Sequence, residues 1–217
     1  MSSSILKQIN KLFLNKQYNE VISVSEDFIK SNAPTPFLLN LIGLCKILIS
    51  NKKDEDLISA LSYFEKSHLL AKDKIEGLDG LINLIRACIL NINNFKLNKE
   101  IFYFLRKAKK LYLNAEKYFG ENENFLIFGS DLFKYLLDQN KQNQILDKLI
   151  NLGTESKVIR SRYLFDNNYL YNWSQKDHFD KAIENSSFFK KLETKNVFKA
   201  KDFKNKKIKL GLVCSDL

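Results

Sequence analysis

Apolar residues recur along the first part of the chain at the spacing of one face of an α-helix. Ile5, Ile9 and Leu12 follow one another at intervals of four and three residues, which places them on the same side of a helix. The pattern predicts a helix over residues 4–15. After a short polar break it resumes and predicts a second helix over residues 18–31, which should end at the Asn-Ala-Pro that follows, because the residue before a proline is disfavoured in the α conformation.

The same alternation of apolar helical stretches and short polar breaks continues along most of the chain. It predicts three more helix pairs and then two further helices. They cover residues 36–50 and 56–71, 76–91 and 99–119, 124–138 and 143–152, and finally 156–165 and 176–192. Helix pairs that repeat about every 35 to 45 residues are typical of a helical solenoid, in which each hairpin packs on its neighbours.

Small and aromatic residues recur in these pairs at positions that characterise the tetratricopeptide repeat (TPR). In the second pair, Gly43 lies in the first helix, and Ala60 and Phe64 are four residues apart in the second helix; Ala108 and Tyr112 repeat this spacing in the third pair. The chain therefore resembles a TPR array, with insertions inside the second and third pairs. We predict an all-α, TPR-like helical solenoid, a right-handed superhelix of helix hairpins. The resemblance implies close helix crossings at Gly43 and Ala60, with Phe64 and Tyr112 filling the gap to the next hairpin.

The character of the chain changes after the predicted repeats, which occupy residues 1–152. We expect an intervening helical segment over residues 153–193 and a basic, Lys-rich linker over residues 194–207. Residues 208–217 contain a nearly continuous apolar run with the pattern of a buried β-strand. We expect this run to be the first strand, or stub, of an α/β domain that continues beyond Leu217.

Composition argues against several other classes of protein. Seven Gly and two Pro are too few for a fold of many short strands. The net charge of +10 comes mainly from Lys, with only four Arg; surfaces that recognise nucleic acid favour the bidentate Arg fork, so we predict no nucleic-acid partner. Cys45, Cys88 and Cys214 are too far apart to predict a disulfide framework or a zinc site. Without a secretory signal or a long apolar run, we expect a cytoplasmic protein with no membrane span.

Two stretches resemble the O-linked N-acetylglucosamine transferase family, including its Spindly-like bacterial branch. Residues 207–217 (KIKLGLVCSDL) are similar to the opening strand of that family's catalytic region, although Leu212 and Cys214 stand where Tyr and Ser are usual. Residues 161–169 (Ser-x-x-Leu-x-x-x-Asn-Tyr) are similar to the segment that follows the repeats in bacterial members. A strand that contains a glycine and ends in Ser-Asp is also found at the start of other doubly wound domains, so the motif is not specific to this family.

The resemblance implies that the chain is the acceptor-recruiting repeat region of an inverting protein O-glycosyltransferase. The intact enzyme would use a UDP-sugar or GDP-sugar, bound in a crevice between two Rossmann-like halves. The family's catalytic and donor-binding residues would all lie beyond Leu217. We therefore predict no catalytic, cofactor-binding or metal-binding residue in this chain, which alone would be inactive. Its partner, a polypeptide acceptor or other protein, is expected on the concave face of the repeats.

A second hypothesis is a stand-alone TPR adaptor that binds a partner protein and has no enzyme attached. The repeats are equally compatible with it, because they carry no chemistry of their own. The reading frame beyond Leu217 distinguishes the two, since an α/β region of a few hundred residues is required by the transferase and not by the adaptor.

A few polar and aromatic residues invite a functional interpretation. His68 and His178 have no second His, Cys or carboxylate pair at ligand spacing, which favours capping or packing roles over metal binding. The acidic residues 54–56 are better explained as a solvated loop at a helix N-terminus than as a metal cluster. For Trp173 and the two tyrosines near it, a hydrophobic clamp that holds the linker is favoured, with an aromatic peptide-binding site as the alternative.

Overall fold

The computed structural model describes residues 3–49, 54–93, 99–167 and 174–189, and in these ranges all regular secondary structure is helical. The helices follow one another with short connections. They are α1 Ser3–Leu14, α2 Tyr18–Ser31, α3 Pro36–Ile49, α4 Asp54–Leu70, α5 Ile75–Asn93, α6 Lys99–Phe119, α7 Glu123–Tyr135, α8 Gln139–Asn151, α9 Lys157–Asn167 and α10 Gln175–Phe189. The all-α prediction is confirmed for this part of the chain. The predicted linker at 194–207 and strand at 208–217 lie outside the described residues.

The helix bounds agree with the sequence-based prediction to within a few residues. The largest difference is at α8, which begins at Gln139 rather than at residue 143. Its N-terminus is capped by Asp138, whose carboxylate accepts a hydrogen bond from the backbone N–H of Lys141 at 3.3 Å. Helix α4 begins at Asp54, so the acidic residues 54–56 form the first turn of a helix, where negative charge is favourable, and not a loop.

Three helices end in the same tight reversal of the chain. After each of α1, α7 and α8, the backbone N–H groups of the second and third residues beyond the helix donate to carbonyls of its last turn in the pattern of a Schellman motif. The residue at the reversal has a positive φ each time: 60° at Lys16, 56° at Leu137 and 79° at Gly153. Because the reversal takes only about three residues, α1 and α2 form one close-packed hairpin and α7 and α8 another.

The helices form a nearest-neighbour array of hairpins. Each helix packs on the next along the chain, and in addition α3 packs on α5, α5 on α7, and α4 on α6. We call α1, α3, α5, α7 and α9 the first helices of the hairpins, and the even-numbered helices the second helices. The first helices α3, α5 and α7 thus lie side by side, which is the arrangement that the repeat pattern predicted.

Glycines occupy the closest helix crossings. A Cβ at Gly43 would lie 2.5 Å from Cε1 of Phe64, so α3 meets α4 at this point, as predicted. The carbonyl oxygen of Phe64 faces Gly80 of the next hairpin, where a Cβ would lie 2.9 Å from it. In the third hairpin, the ring of Tyr112 stacks on Phe125 of α7 with centroids 4.1 Å apart, so it fills the gap to the next hairpin as predicted.

The buried side chains form two clusters. The smaller one joins α1 and α2 to one side of α3, where Leu38, Leu41, Ile42 and Cys45 are buried. The larger one begins at α4 and runs to α9, with Phe64 and Tyr112 fully buried. Helix α3 also contributes to it through Leu44 and Ile47, which are partly buried. Helix α3 is therefore covered by apolar groups on two sides.

Candidate functional site

The first helices α3, α5, α7 and α9 present a row of polar and aromatic side chains that touch from one helix to the next. We call this surface the first-helix face and define it by Asn40, Asn83, Arg86, Phe128, Asp131 and Arg162. These residues lie in four successive hairpins. A surface that extends over neighbouring repeats in this way is what solenoid proteins use to bind extended partners.

The contacts between α3, α5 and α7 fix the first half of this face. The side-chain Nδ2 of Asn83 donates to Oδ1 of Asn40 at 3.1 Å. One helical turn further along α5, the guanidinium of the exposed Arg86 lies 5.6 Å from the ring centroid of Phe128 on α7. At this distance the ring can orient the guanidinium by a cation–π interaction, and the Arg86 side chain remains exposed to solvent.

An ion pair continues the row from α7 to α9. Nη1 of Arg162 donates to Oδ1 of Asp131 at 2.5 Å and lies 3.4 Å from Oγ of Ser130. Both charged side chains are about three-quarters buried, with 23% and 24% of their surface exposed. The pair is more shielded than a surface ion pair, and it holds Arg162 in one orientation.

Exposed apolar side chains lie on the same helical faces. Leu90 follows Arg86 by four residues, and Phe165 follows Arg162 by three, so each lies next to its arginine along the helix. Their exposed fractions are 56% and 51%. Apolar anchors beside oriented Arg and Asn groups suit an extended polypeptide, whose side chains need apolar contacts and whose backbone needs hydrogen bonds.

The residues that the sequence singled out as candidates for other chemistry lie elsewhere. His68 on α4 is buried, and its Nδ1 lies 3.0 Å from the carbonyl oxygen of Gly77. Burial lowers the pKa of His68, with the Lys72 charge acting in the same direction. His68 thus packs between α4 and α5, as predicted. His178 lies far along the chain in α10, and Trp173 and its neighbouring tyrosines lie outside the described residues.

The described cysteines behave as apolar core residues. Cys45 and Cys88 are unpaired thiols buried in α3 and α5, and burial raises their pKa to about 11 and about 12. In the part of the chain that the structure describes, no group of three or more His, Cys, Asp or Glu side chains is placed to hold a metal ion. None of the helices described there combines the length and apolar character needed to cross a bilayer.

Reasoning from the sequence did not identify the residues of the first-helix face. A signal was present at Asn40, a polar residue in the otherwise apolar stretch 36–45. A polar residue in such a stretch needs a partner or solvent. Its partner Asn83 lies 43 residues away, and no regular repeat length identifies it, because the hairpins differ in length.

Comparison with known proteins supports the repeat fold. No protein-family model matches the chain, and no curated protein sequence matches it. The structure is similar to the crystal structure of a thermophilic TPR protein from Thermus thermophilus, with a TM-score of 0.52 and 14% sequence identity. The similarity covers 88% of this chain and 92% of that one. At this identity it concerns the fold: the chain is a TPR-like helical repeat protein.

Proposed function

We propose that this chain binds a protein partner along the first-helix face, and that it does so as the acceptor-recruiting repeat region of a nucleotide-sugar-dependent protein O-glycosyltransferase. The observation that carries the first part is the row of cross-helix contacts from Asn40 to Arg162, which spans four hairpins. Partner binding by extended surfaces is the usual role of repeat folds of this kind. The two buried thiols, Cys45 and Cys88, support a reducing, cytoplasmic location.

The partner is expected to be a polypeptide in an extended conformation. Arg86 is the exposed cation of the face and Leu90 its nearest apolar neighbour along the helix. A carboxylate or backbone carbonyl of the partner would accept from Arg86, while an apolar side chain packs on Leu90. The proposal needs no chemical group beyond these, because the repeats would recruit the acceptor and the catalytic region proposed to follow Leu217 would carry out the reaction.

Affinity capture with a matched pair of variants tests the binding surface. The wild-type chain, Arg86→Glu/Leu90→Ser on the first-helix face and Lys110→Glu/Leu113→Ser on the exposed side of α6 are immobilised and exposed to lysate of the source organism. Proteins that bind the wild type and the α6 variant but are depleted by at least about fivefold on the first-helix variant support the proposal, since this corresponds to about 1 kcal/mol. Equal capture by both variants would show that the face is not the binding surface.

The glycosyltransferase part rests on the resemblance of residues 207–217 and 161–169 to that family. Sequencing the gene beyond the codon for Leu217 tests it directly. A following α/β region of a few hundred residues supports the transferase, and a stop codon there contradicts it. Isothermal titration of the 217-residue chain with UDP- and GDP-sugars should give no heat of binding. Micromolar affinity would place the donor site in this chain and contradict the proposal.

A stand-alone adaptor is the alternative, favoured by the same first-helix face. It predicts the same result in the capture experiment and the opposite result beyond Leu217. The captured proteins also distinguish the two. A transferase requires that captured partners carry O-linked sugar on Ser or Thr, which mass spectrometry detects, whereas an adaptor does not.

A further inference from the structure

Three pockets lie in a row where the C-terminal parts of the second helices meet. The first, of about 620 Å³, lies between α2 and α4; the second, of about 370 Å³, between α4 and α6; the third, of about 560 Å³, between α6 and α8. Leu69 lines both the first and the second pocket, and Lys117 and Tyr118 line both the second and the third. The three pockets are therefore neighbours along the array, and we call the row that they form the second-helix groove.

The first pocket is apolar and its shape is held by a polar network at its wall. Ile29, Pro34 and Leu70 are among its lining residues. The ring of Tyr63 forms part of the wall, and its hydroxyl donates to Oε1 of Glu26 at 2.9 Å. Nζ of Lys46 lies 3.6 Å from the same carboxylate oxygen, so its charge compensates that of Glu26. A pocket with a fixed wall and a large apolar lining suits one large apolar side chain.

Lysines line the groove from this pocket onward: Lys66 at the first pocket, Lys72 at the second, and Lys117 at the second and third. Lys66, Lys72 and Lys117 are exposed, and no ion pair joins any of them to another described residue. Two of them lie over aromatic rings instead, Lys66 at 5.7 Å from the Tyr63 centroid and Lys117 at 4.6 Å from that of Tyr118. These ammonium groups are therefore available to a ligand.

The acidic residues of the groove do not cancel this charge. Glu26 is compensated by Lys46. Glu116 lies 3.0 Å from Nζ of Lys141 and 3.7 Å from that of Lys148, so two cations share one carboxylate. Glu121, which lines the third pocket, is the exception. The middle of the groove is therefore cationic and lies next to an apolar pocket. This arrangement is complementary to a ligand in which an apolar group is followed by negative charge.

We propose that the second-helix groove binds an acidic polypeptide segment anchored by one large apolar side chain in the first pocket. The lining contains Lys and no Arg, which favours carboxylates over the bidentate recognition of phosphate. Packed helices lie about 8–10 Å apart, and an extended chain advances about 3.3 Å per residue. Since α4 and α6 pack on each other, one helix spacing corresponds to about three residues of the ligand, and its acidic residues are expected from about that distance after the anchor onward.

Fluorescence anisotropy with designed probe peptides tests this inference. The probe has the sequence Gly-Ser-Phe-Gly-Ser-Glu-Gly-Ser-Glu-Gly, and two control probes replace Phe by Gly or both Glu by Lys. The wild-type chain should bind the first probe with a Kd below about 1 mM and each control at least about tenfold more weakly. A Kd above about 1 mM for the first probe, or equal affinity for all three probes, would overturn the inference.

Protein variants of equal charge locate the binding. Lys66→Glu/Lys72→Glu/Lys117→Glu should weaken the first probe by at least about tenfold. The control Lys7→Glu/Lys11→Glu/Lys157→Glu changes three exposed lysines outside the groove, and should change Kd by less than about twofold. An equal loss in both triple variants would mean that overall charge, and not the groove, attracts the probe. Circular dichroism verifies that each variant is folded.

Two further measurements separate this groove from other possibilities. The first-helix variant Arg86→Glu should bind the probe as the wild type does, since Arg86 does not line the groove; the inference can thus fail or hold independently of the proposed function. Phosphatidylglycerol vesicles are the second test. The polypeptide assignment would be overturned if the wild-type chain bound the vesicles but not the peptide, and if the groove variant lost the vesicle binding. The groove would then be assigned to an anionic membrane surface.

Discussion

The crossing of α3 and α4 at Gly43 allows a stability prediction whose sign depends on a second residue. In Gly43→Ala, the added methyl would lie 2.5 Å from Cε1, 2.8 Å from Cδ1 and 3.0 Å from Cζ of Phe64. Replacing a helical glycine by alanine would alone stabilise by about 1 kcal/mol. Overpacking of a filled core costs about 1–3 kcal/mol. Gly43→Ala should therefore destabilise the wild type by about 1 kcal/mol net.

Removing the ring should reverse this sign. Phe64 is fully buried, so Phe64→Ala should destabilise by about 3–5 kcal/mol. In that background the methyl at residue 43 meets no ring, and Gly43→Ala should stabilise by up to about 1 kcal/mol. The two substitutions should thus be coupled by about 2 kcal/mol. Phe64→Leu, which removes Cε1 and Cζ, provides a milder background if Phe64→Ala is too unstable.

Urea denaturation followed by circular dichroism measures the four free energies of unfolding. Gly80→Ala is the matched control. Its methyl would meet backbone atoms of α4, the nitrogen of His68 at 2.8 Å and the carbonyl oxygen of Phe64 at 2.9 Å. These atoms remain when the Phe64 side chain is removed, so Gly80→Ala should destabilise in both backgrounds. If Gly43→Ala stabilised the wild type by the full helix-propensity amount, the Phe64 ring would not lie at this crossing.

Two further predictions follow from buried titratable groups. Burial lowers the pKa of His68 below its value in the unfolded chain, so the folded state favours the neutral ring; this contribution to stability is present above about pH 6.5 and is lost as the pH falls. Between pH 7 and pH 5 the midpoint of urea unfolding should fall more for the wild type than for His68→Gln, and equal slopes would contradict this. Burial raises the pKa of the Cys45 and Cys88 thiols to about 11 and about 12. In the variant Cys214→Ser, neither thiol should react with Ellman's reagent at pH 8 while the chain is folded, and both should react in guanidinium chloride. Rapid reaction of the folded chain would show that the thiols are accessible.

The sequence was sufficient for the helices because each one carries its own periodic apolar face. Helix α6, for example, buries Ile101, Leu105, Ala108 and Tyr112 at intervals of three and four residues, and this pattern needs no partner to be recognised. The start of α8 was less clear, because its first turn, Gln139 to Gln142, is polar and only the Asp138 cap marks it. Helix existence was therefore easier to predict than helix ends.

The candidate surface could not be predicted in the same way, because it arises between helices. Arg86 and Phe128 lie in different hairpins, and their contact depends on how far α7 is shifted along α5. The placement of α7 also depends on its close contact with α6, where Gly129 faces the ring of Tyr112, and such contacts follow from packing and not from periodicity. The reversal at Leu137, with a φ of 56°, was equally hidden, since this conformation usually belongs to Gly or Asn.

The double coverage of α3 means that the first hairpin shields an apolar side of the hairpin that follows it. One side of α3 contributes Leu44 and Ile47 to the large core, while Leu38, Ile42 and Cys45 on its other side are covered by α1 and α2. Without α1 and α2, this second side would be an open apolar end, of the kind that repeat proteins must shield to remain dispersed. A variant that starts at Thr35 would keep the large core, but it should self-associate through the exposed apolar side of α3. The first hairpin thus shields an apolar side of α3 whose exposure would favour self-association.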